Sequence, residues 1–330
     1  METFFYKNVY LNETSTVAGL YEKNGPLGHY FDKTYDEFYF NEKTWEQAES
    51  KLIEESIDIV LRKLNKTRFD IDVHISGDLL NQIVASNYAA SRLRIPFLGI
   101  YNACATSVEG MIIGANMIEG KLIHNCLVTT SSHNNAAEKQ FRYPVEYGAV
   151  KKKTTTFTVT GGACAYLSNE KSMIKIDSAT IGTVEDMDIK DSMNMGAVMT
   201  PAAASTIYKH LKNTKRDIRY YDLILTGDLG TYGEKMLKEY MELEYRIPLK
   251  NYKDAGTIIY DLDTQPVFAG GSGPACAPLV TFSYILEQMR KKELKHVLVV
   301  ATGALFSSTM TNQKLSIPSI AHAISLEVVK

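Results

Sequence analysis

The sequence Tyr101-Asn102-Ala103-Cys104-Ala105-Thr106-Ser107 recurs in a weaker form as Gly273-Pro274-Ala275-Cys276-Ala277-Pro278-Leu279. A cysteine occupies the same place in both copies. Three residues downstream of Cys104 have identical counterparts at the same spacing downstream of Cys276. Leu122, His124 and Val128 correspond to Leu294, His296 and Val300. A repeat of this length predicts one doubled architecture, because a solenoid would need three or more short units.

A second pair of related segments lies upstream of the two cysteines. Ser76-Gly77-Asp78-Leu79 recurs as Thr226-Gly227-Asp228-Leu229, each after an apolar run. The spacing of this pair differs from that of the cysteines, which indicates insertions or deletions between strand and cysteine. We therefore expect two related halves, residues 1–185 with Cys104 and residues 186–330.

Length and composition predict a sizeable buried core. The chain has 330 residues, and 45% of them are hydrophobic, which is enough for two subdomains with a shared interface. Its 36 Lys and Arg against 38 Asp and Glu give no basic surplus, so nucleic acid is not expected as a partner. The sequence shows no signal peptide and no apolar window of about 18 residues, so we expect no membrane-spanning segment.

The four cysteines Cys104, Cys126, Cys164 and Cys276 lie in apolar or small-residue runs without CxxC spacing. This pattern favours neither a zinc site nor a disulfide framework, and it is typical of a reducing compartment.

Strand and helix patterns alternate along the chain. Thr44-Trp45-Glu46-Gln47 resembles a capping box that starts an amphipathic helix ending near Leu64. Further helices are predicted at 82–93, 104–119, 234–240 and 274–291, and strands at 72–77, 97–101, 125–131, 221–226 and 297–302. Near-continuous apolar strands need cover on both faces. We therefore predict a layered α/β fold of two sheets, with helices between and outside them and pseudo-twofold symmetry.

Cys104 lies between a predicted strand and a predicted helix. Its sulfur would then be near a helix N-terminus, where unpaired N–H groups and the helix dipole stabilise either a thiolate or an anionic ligand. The alternative is that Cys104 is a small buried apolar residue. Its counterpart Cys276 is followed by Ala-Pro, and we interpret it as structural.

The strand-cysteine-helix arrangement, the doubled layout and the glycine-rich run Phe268-Ala269-Gly270-Gly271-Ser272-Gly273 resemble the thiolase and ketoacyl-synthase superfamily over nearly the whole chain. Three strings are similar to a family of sporulation proteins within it. They are Gly77-Asp78-Leu79-Leu80-Asn81-Gln82, residues 131–144 and Val299-Val300-Ala301-Thr302-Gly303-Ala304-Leu305. The resemblance implies the thiolase-like layered fold and a homodimer.

The same resemblance shows which catalytic partners are missing. Condensing enzymes of the superfamily pair the cysteine with a histidine after the second-half strand, and with an asparagine or histidine before the second-half helix. Those places read Gly227-Asp228-Leu229 and Gly270-Gly271-Ser272. An ionised aspartate cannot donate to an oxyanion, and a cysteine without a base is a poor acyl-transfer catalyst. We expect a noncatalytic site kept for binding; the alternative is a cysteine-dependent acyltransferase or 3-ketoacyl synthase that uses Cys104.

The resemblance to sporulation proteins implies a ligand, pyridine-2,6-dicarboxylic acid (dipicolinic acid), alone or as its calcium chelate. It also implies movement of this acid into and out of the spore core by a membrane complex. The chain would then lie peripherally on the inner spore membrane, in contact with integral membrane subunits. No cofactor and no protein-bound metal are expected.

Five residues are candidates for the ligand site: Asp78, Cys104, His133, Arg142 and Asp228. The resemblance associates Asp78 and Cys104 with the pocket. Independently, a flat dianion suits an imidazole and a guanidinium that pairs with carboxylates in a bidentate way, with Phe141 and Tyr143 for stacking. Methionines from the Asp- and Gly-rich loop are expected to pack over the pocket. They are Met187, Met193, Met195 and Met199.

Each candidate also has a structural interpretation. Asp78 either binds the ligand through calcium, or bonds groups that shape the pocket, or caps a turn, and Asp228 has the same alternatives. His133 is either a ligand contact or a hydrogen-bonded structural residue. Arg142 could instead pair with Glu138 or Glu146.

Overall fold

The computed structural model describes residues 2–142 and 150–329. The strands are β1 (Thr3–Phe5), β2 (Tyr10–Ala18), β3 (Lys33–Thr34), β4 (Val73–Gly77), β5 (Phe97–Gly99), β6 (Asn125–Ser132), β7 (Phe157–Thr158), β8 (Gly161–Ser168), β9 (Ile174–Thr180), β10 (Leu223–Thr226), β11 (Tyr252–Asp254), β12 (Gly271–Ser272), β13 (His296–Ala304) and β14 (Ser319–Val328). The helices are α1 (Leu20–Lys23), α2 (Trp45–Leu64), α3 (Val84–Leu93), α4 (Thr106–Glu119), α5 (Asn134–Gln140), α6 (Met195–Thr214), α7 (Gly230–Tyr245), α8 (Ala255–Ile258), α9 (Cys276–Val280), α10 (Leu286–Arg290) and α11 (Ser308–Asn312), with a π-helical turn (Thr281–Ile285) joining α9 to α10.

The two halves have the same strand order. In the first half, β4 is flanked by the parallel strands β5 and β6, and β6 continues through antiparallel β8 to β2. In the second half, β10 is flanked by parallel β11 and β13, and β13 continues through antiparallel β14 to β9. The doubled α/β architecture with pseudo-twofold symmetry is therefore confirmed.

The strands of the two halves share one hydrogen-bonded sheet, so the prediction of two separate sheets is wrong. The order across it is β11-β10-β13-β14-β9-β2-β8-β6-β4-β5. The halves meet where β2 pairs with β9 through Tyr10–Lys175 and Leu11–Ile174. Strand β9 lies within the predicted first half, residues 1–185, yet pairs with β14; the division at residue 185 stays a prediction.

Another repeated signal lies at the ends of α3 and α7. Arg94-Ile95-Pro96 follows α3, and Arg246-Ile247-Pro248 follows α7. Arg94 (φ 55°) and Arg246 (φ 60°) are both left-handed C-cap residues. A left-handed cap followed by proline ends a helix, because proline cannot continue it.

The helices form layers on both faces of the sheet. Helix α2 begins at Thr44, whose side chain accepts a hydrogen bond from the Gln47 N–H, as predicted. It covers β2, β6 and β8, and its counterpart α6 covers β13, β14 and β9. Helix α4 lies between the halves, because it packs against β4, β6 and β8 of one and against β13 and β14 of the other. None of the helices in the described part of the chain combines the length and the hydropathy that spanning a bilayer requires.

A fully buried carboxyl group, Glu22, lies in this core. Its Oε1 accepts hydrogen bonds from the Thr160 N–H, at 2.9 Å, and from the Tyr260 hydroxyl. No described residue bonds its Oε2. Burial raises the pKa of Glu22 to about 7, although both hydrogen bonds act in the opposite direction.

We expect Glu22→Gln to flatten the pH dependence of stability. The folded pKa of Glu22, about 7, lies above its value of 4.5 in the unfolded chain. The contribution of this group is therefore fully present below pH 4.5 and is lost as the pH rises through 7; at ~1.4 kcal/mol per pKa unit the loss is about 3 kcal/mol. Urea unfolding from about pH 5 to 8 measures it. The exposed control Glu239→Gln should keep the wild-type slope, and the same slope in Glu22→Gln would refute the prediction.

Candidate functional site

The candidate site is a small cavity at the carboxyl ends of β10 and β13, where site residues commonly lie in α/β folds. It has a volume of about 50 Å³, and its lining includes Cys104, Arg142 and Asp228. Phe141 and Phe306, with ring centroids 6.4 Å apart, lie on its walls. Three of the five candidate residues are therefore brought together. Asp78 and His133 are not in this lining.

The backbone around Cys104 is held in a tight turn. Ala103 has a left-handed φ of 50°, which costs energy in a residue with a Cβ. The Thr106 hydroxyl accepts from the Asn102 N–H at 2.9 Å and donates to the Ala103 carbonyl at 2.7 Å. Helix α4 begins at Thr106, two residues after the predicted start at Cys104. This turn presents the Cys104 side chain to the cavity.

Asp228 is the hydrogen-bonding centre of the site. Its buried carboxyl group accepts from the Thr302 hydroxyl at 2.6 Å and from the Gly273 N–H at 3.1 Å, and the Cys104 thiol lies beside it in the cavity. Gly273 has a φ of 109°, and a Cβ there would lie 2.9 Å from the Ser132 Oγ. The glycine is thus required for the N–H to reach Asp228.

The electrostatics keep the Cys104 thiol protonated. Burial raises the pKa of Cys104 well above 9.0, and the neighbouring Asp228 carboxyl raises it further. Arg142 and the Gly273 N–H act in the opposite direction but are weaker. Burial also raises the pKa of Asp228, against the hydrogen bonds that it accepts. A thiolate is the reactive form of cysteine, and burial and the Asp228 carboxyl group both act against its formation.

Arg142 is held beside the cavity by hydroxyl groups. Its guanidinium donates to Thr158 at 2.6 Å, Thr156 at 2.7 Å and Ser272 at 3.1 Å. Thr158 and Ser272 belong to the small parallel sheet of β7 and β12. These three hydroxyl groups fix the orientation of the guanidinium. The predicted alternative partner Glu138 pairs instead with Lys151, at 3.1 Å.

Two predictions fall on residues outside the described ranges. They are the stacking role of Tyr143 and the pairing of Arg142 with Glu146.

Asp78 is hydrogen-bonded to residues that follow it closely in the chain. Its buried carboxyl group accepts from the Leu80 N–H at 2.9 Å, the Ser86 N–H at 2.8 Å and the Ser86 hydroxyl at 2.7 Å. Leu80 lies two residues further on, which is the geometry of an Asx turn, and Ser86 lies in the first turn of α3. These bonds match the turn-capping interpretation of the sequence; a direct role of Asp78 in ligand binding stays a prediction.

We expect Asp78→Ala to lower the free energy of unfolding by about 2–4 kcal/mol, since buried donors lose their acceptor. Ligand affinity of the folded protein should change less than twofold if Asp78 only caps this turn. Denaturant unfolding and calorimetry with the dicarboxylate measure the two effects separately. Ser86→Ala, which removes one donor and leaves the carboxylate, serves as the milder control. Unchanged stability with a large loss of affinity would instead make Asp78 a ligand residue.

His133 is buried away from the cavity. Its Nε2 lies 2.7 Å from the Phe38 carbonyl. Burial lowers its pKa to about 4, so the imidazole is neutral at physiological pH. A neutral ring cannot pair with an anion by charge, and the bond to Phe38 matches the structural interpretation of this residue.

Several residues of the site were not predicted from the sequence. Thr302, the last residue of the predicted strand 297–302, bonds Asp228, and Phe306, four residues further on, lines the cavity. Thr302 lies within one of the sequence strings on which the family resemblance is based, but no nearby residue indicates that it bonds Asp228. The predicted packing of methionines over the pocket is confirmed for Met195 and Met199. His322, on β14, lies 2.7 Å from the Asn102 side chain and accepts from the Gly182 N–H at 3.1 Å.

No group of three or more His, Cys, Asp or Glu that could hold a metal ion occurs within the described ranges. All four cysteines are free thiols.

The doubled sheet, the central helix α4 and the cysteine at its N-terminal turn define a protein of the thiolase-like class. Solved structures support this fold. A crystal structure of Xanthomonas campestris OleA is 13% identical with a TM-score of 0.61 and coverage of 98% of this chain and 99% of that one. The 3-oxoacyl-[acyl-carrier-protein] synthase III of Aquifex aeolicus VF5 is 12% identical with a TM-score of 0.55 and 99% coverage of both chains.

The chain belongs to the stage V sporulation protein AD (SpoVAD) family, whose model matches residues 2–327. Stage V sporulation protein AD of Bacillus subtilis (strain 168) is 48% identical over 324 residues, which cover 98% of this chain and 95% of the relative. The predicted resemblance to sporulation proteins is thus confirmed, and the chain is a sporulation protein.

Proposed function

We propose that this protein is a noncatalytic binding protein for pyridine-2,6-dicarboxylic acid. The observation that carries the proposal is the burial of the Cys104 thiol beside the buried Asp228 carboxyl group in one cavity. A condensing enzyme needs a group that accepts the thiol proton and stabilises the resulting charge. Asp228 does the reverse, because a carboxylate beside the sulfur disfavours a second negative charge.

The cavity has features that suit a small planar anion. Arg142 supplies a positive charge in a fixed orientation, and Phe141 and Phe306 supply aromatic walls. Each hydrogen bond to a charged group contributes ~1.5–3 kcal/mol, so three such bonds at the upper end of this range are enough for micromolar affinity, about 8 kcal/mol. A cavity of 50 Å³ holds only a few water molecules. Binding of the ring therefore requires Phe141 and Phe306 to move apart.

The wider role follows from membership of the sporulation family. In this proposal the protein takes part in moving the acid into and out of the spore core. It lies peripherally on the inner spore membrane, as a homodimer in contact with integral membrane subunits. The ligand is bound either alone or as its calcium chelate.

Titration calorimetry with the dicarboxylate tests the binding proposal. We expect micromolar affinity, and at least tenfold weaker binding of pyridine-2-carboxylate, which lacks one charged contact. Repeating the titration with calcium and with a chelator shows which form binds. The absence of heat with the dicarboxylate in both conditions would refute the proposal.

A condensing activity is the second candidate, because Cys104 follows the strained Ala103 turn at the start of α4. Incubation with acyl-thioesters followed by intact mass analysis distinguishes the two functions. The noncatalytic proposal predicts no adduct at neutral pH. An acyl adduct that disappears in Cys104→Ala, together with turnover of the thioester, would favour the enzyme.

A further inference from the structure

A basic groove lies on the second half of the molecule, between the C-terminal ends of α6 and α7. Its volume is about 850 Å³. Six basic side chains and one acidic side chain, Asp217, line it; the basic ones are Lys212, Lys215, Arg216, Arg219, Arg246 and Lys250. The whole chain has a formal net charge of −2. The groove therefore carries a local excess of positive charge.

Four of the six cations have no ion-pair partner within the described ranges. Arg216 pairs with Asp177 at 2.6 Å, and Arg219 pairs with Asp217 at 2.7 Å. The unpaired ones, all exposed, are Lys212, Lys215, Arg246 and Lys250. By contrast, two members of the lysine run 151–153 have acidic partners, Glu138 and Asp191.

These cations are not needed to complete the helix ends. The N–H groups of Lys215 and Arg246 already bond the last-turn carbonyls of α6 and α7. Backbone caps of this kind satisfy the free carbonyl groups. The unpaired side chains are thus available to an external anion.

The floor of the groove is apolar and aromatic. It includes the buried Leu211 and Tyr221, together with the half-buried Ile218 and Ile247. A cationic rim above an apolar floor matches an amphipathic anion, with a charged head and an apolar neighbouring part.

The groove and the Cys104 cavity lie at opposite ends of strand β10. Helix α6 leads into the amino end of β10, and the groove residues Lys250 and Asn251 directly precede β11. The cavity lies beyond the carboxyl end of β10, where Asp228 follows. Contact at the groove therefore leaves the mouth of the cavity open.

We propose that this groove docks the protein on a bilayer that contains anionic phospholipids, with headgroup phosphates among the four unpaired cations. The proposal rests on the peripheral membrane location in the proposed function. A chain with a net charge of −2 gains no attraction to an anionic bilayer from its overall charge, so attachment needs a local cationic face. The apolar floor receives the glycerol region of a lipid. An acidic segment of a protein partner is the competing occupant.

Vesicle flotation tests the groove. The wild type should bind vesicles of phosphatidylglycerol mixed with phosphatidylcholine, and not vesicles of phosphatidylcholine alone, at ~0.1 M salt, and high salt should release it. The charge-reversal variant carries Lys212→Glu, Lys215→Glu, Arg246→Glu and Lys250→Glu. We expect its partition coefficient to fall at least a hundredfold, because each basic residue near an anionic surface contributes about fivefold.

A matched control changes the net charge equally at scattered exposed lysines. It carries Lys7→Glu, Lys43→Glu, Lys171→Glu and Lys235→Glu, and it should bind vesicles far better than the groove variant. Equal loss in both variants would show a nonspecific charge effect and overturn the proposal. Failure of the wild-type protein to bind the anionic vesicles would also overturn it. Binding to polyglutamate but not to vesicles would overturn it too, because that result is expected for an acidic protein partner.

The dicarboxylate titration separates this proposal from the proposed function. The groove variant should keep the wild-type affinity for the acid, which also shows that it is folded. Wild-type protein that binds vesicles but not the acid would support docking at the groove and refute the proposed ligand. Wild-type protein that binds the acid but not the vesicles would support the proposed ligand and refute docking at the groove.

Discussion

Replacing Arg142 by methionine is expected to weaken binding of pyridine-2,6-dicarboxylate by about a hundredfold or more. The loss of two charge-assisted hydrogen bonds at ~1.5–3 kcal/mol each gives an effect of this size. Methionine keeps much of the side-chain volume but leaves Thr156, Thr158 and Ser272 without their donor. Calorimetry measures the affinity, and thermal unfolding shows whether the variant is folded.

Arg142→Lys is the control for this prediction. It keeps the charge but cannot form two parallel bonds to a carboxylate, so its affinity should lie between those of the wild type and the methionine variant. Wild-type affinity in a folded Arg142→Met protein would exclude the guanidinium from the binding site.

The second large effect concerns the reactivity of Cys104. We expect Asp228→Asn to accelerate alkylation of Cys104 by iodoacetamide about ten- to a hundredfold at neutral pH. Burial is the main cause of the raised thiol pKa, and the Asp228 carboxyl group is the next. Asparagine has the same shape but no negative charge, so the thiolate fraction should rise. Mass spectrometry of the alkylated peptide gives the rate. The fully buried Cys126, Cys164 and Cys276 serve as internal references.

Asp254→Asn provides the matched variant for this experiment. Asp254 is also buried, and burial raises its pKa to about 7, but its carboxyl group bonds Leu229, Gly230 and Thr226. Its replacement should leave the Cys104 rate unchanged. If Asp228→Asn reacted no faster than the wild type, the carboxylate would not be a cause of the raised thiol pKa.

The main features of the fold could be predicted because they repeat in the sequence. The two cysteine segments and the two Gly-Asp-Leu segments mark equivalent strand ends, and apolar periodicity locates α2 within its observed bounds. The single hydrogen-bonded sheet could not be predicted. The β2–β9 junction depends on two residue pairs, and its partners are brought together by the packing of the halves.

The two aspartates show why the site was only partly predictable. Asp78 and Asp228 occur in the same local motif. Ser86, eight residues after Asp78, offers a hydroxyl and an N–H that hold its carboxyl group locally. The residue equally far after Asp228 is Met236, which has no hydroxyl. The carboxyl group of Asp228 instead meets Thr302, Gly273 and Cys104, which lie far away in the chain.

The amino-acid sequence by itself determined the duplication, the alternation of strands and helices, the position of Cys104 and the position of Asp228 in the second copy of the Gly-Asp-Leu motif. These features are local patterns or repeats, and a linear chain displays them directly. Only the tertiary structure decided that Cys104, Arg142 and Asp228 converge while Asp78 and His133 do not. It also decided that the ends of α6 and α7 form a basic groove. Such convergence depends on side-chain directions across packed layers, which segments distant in sequence set jointly.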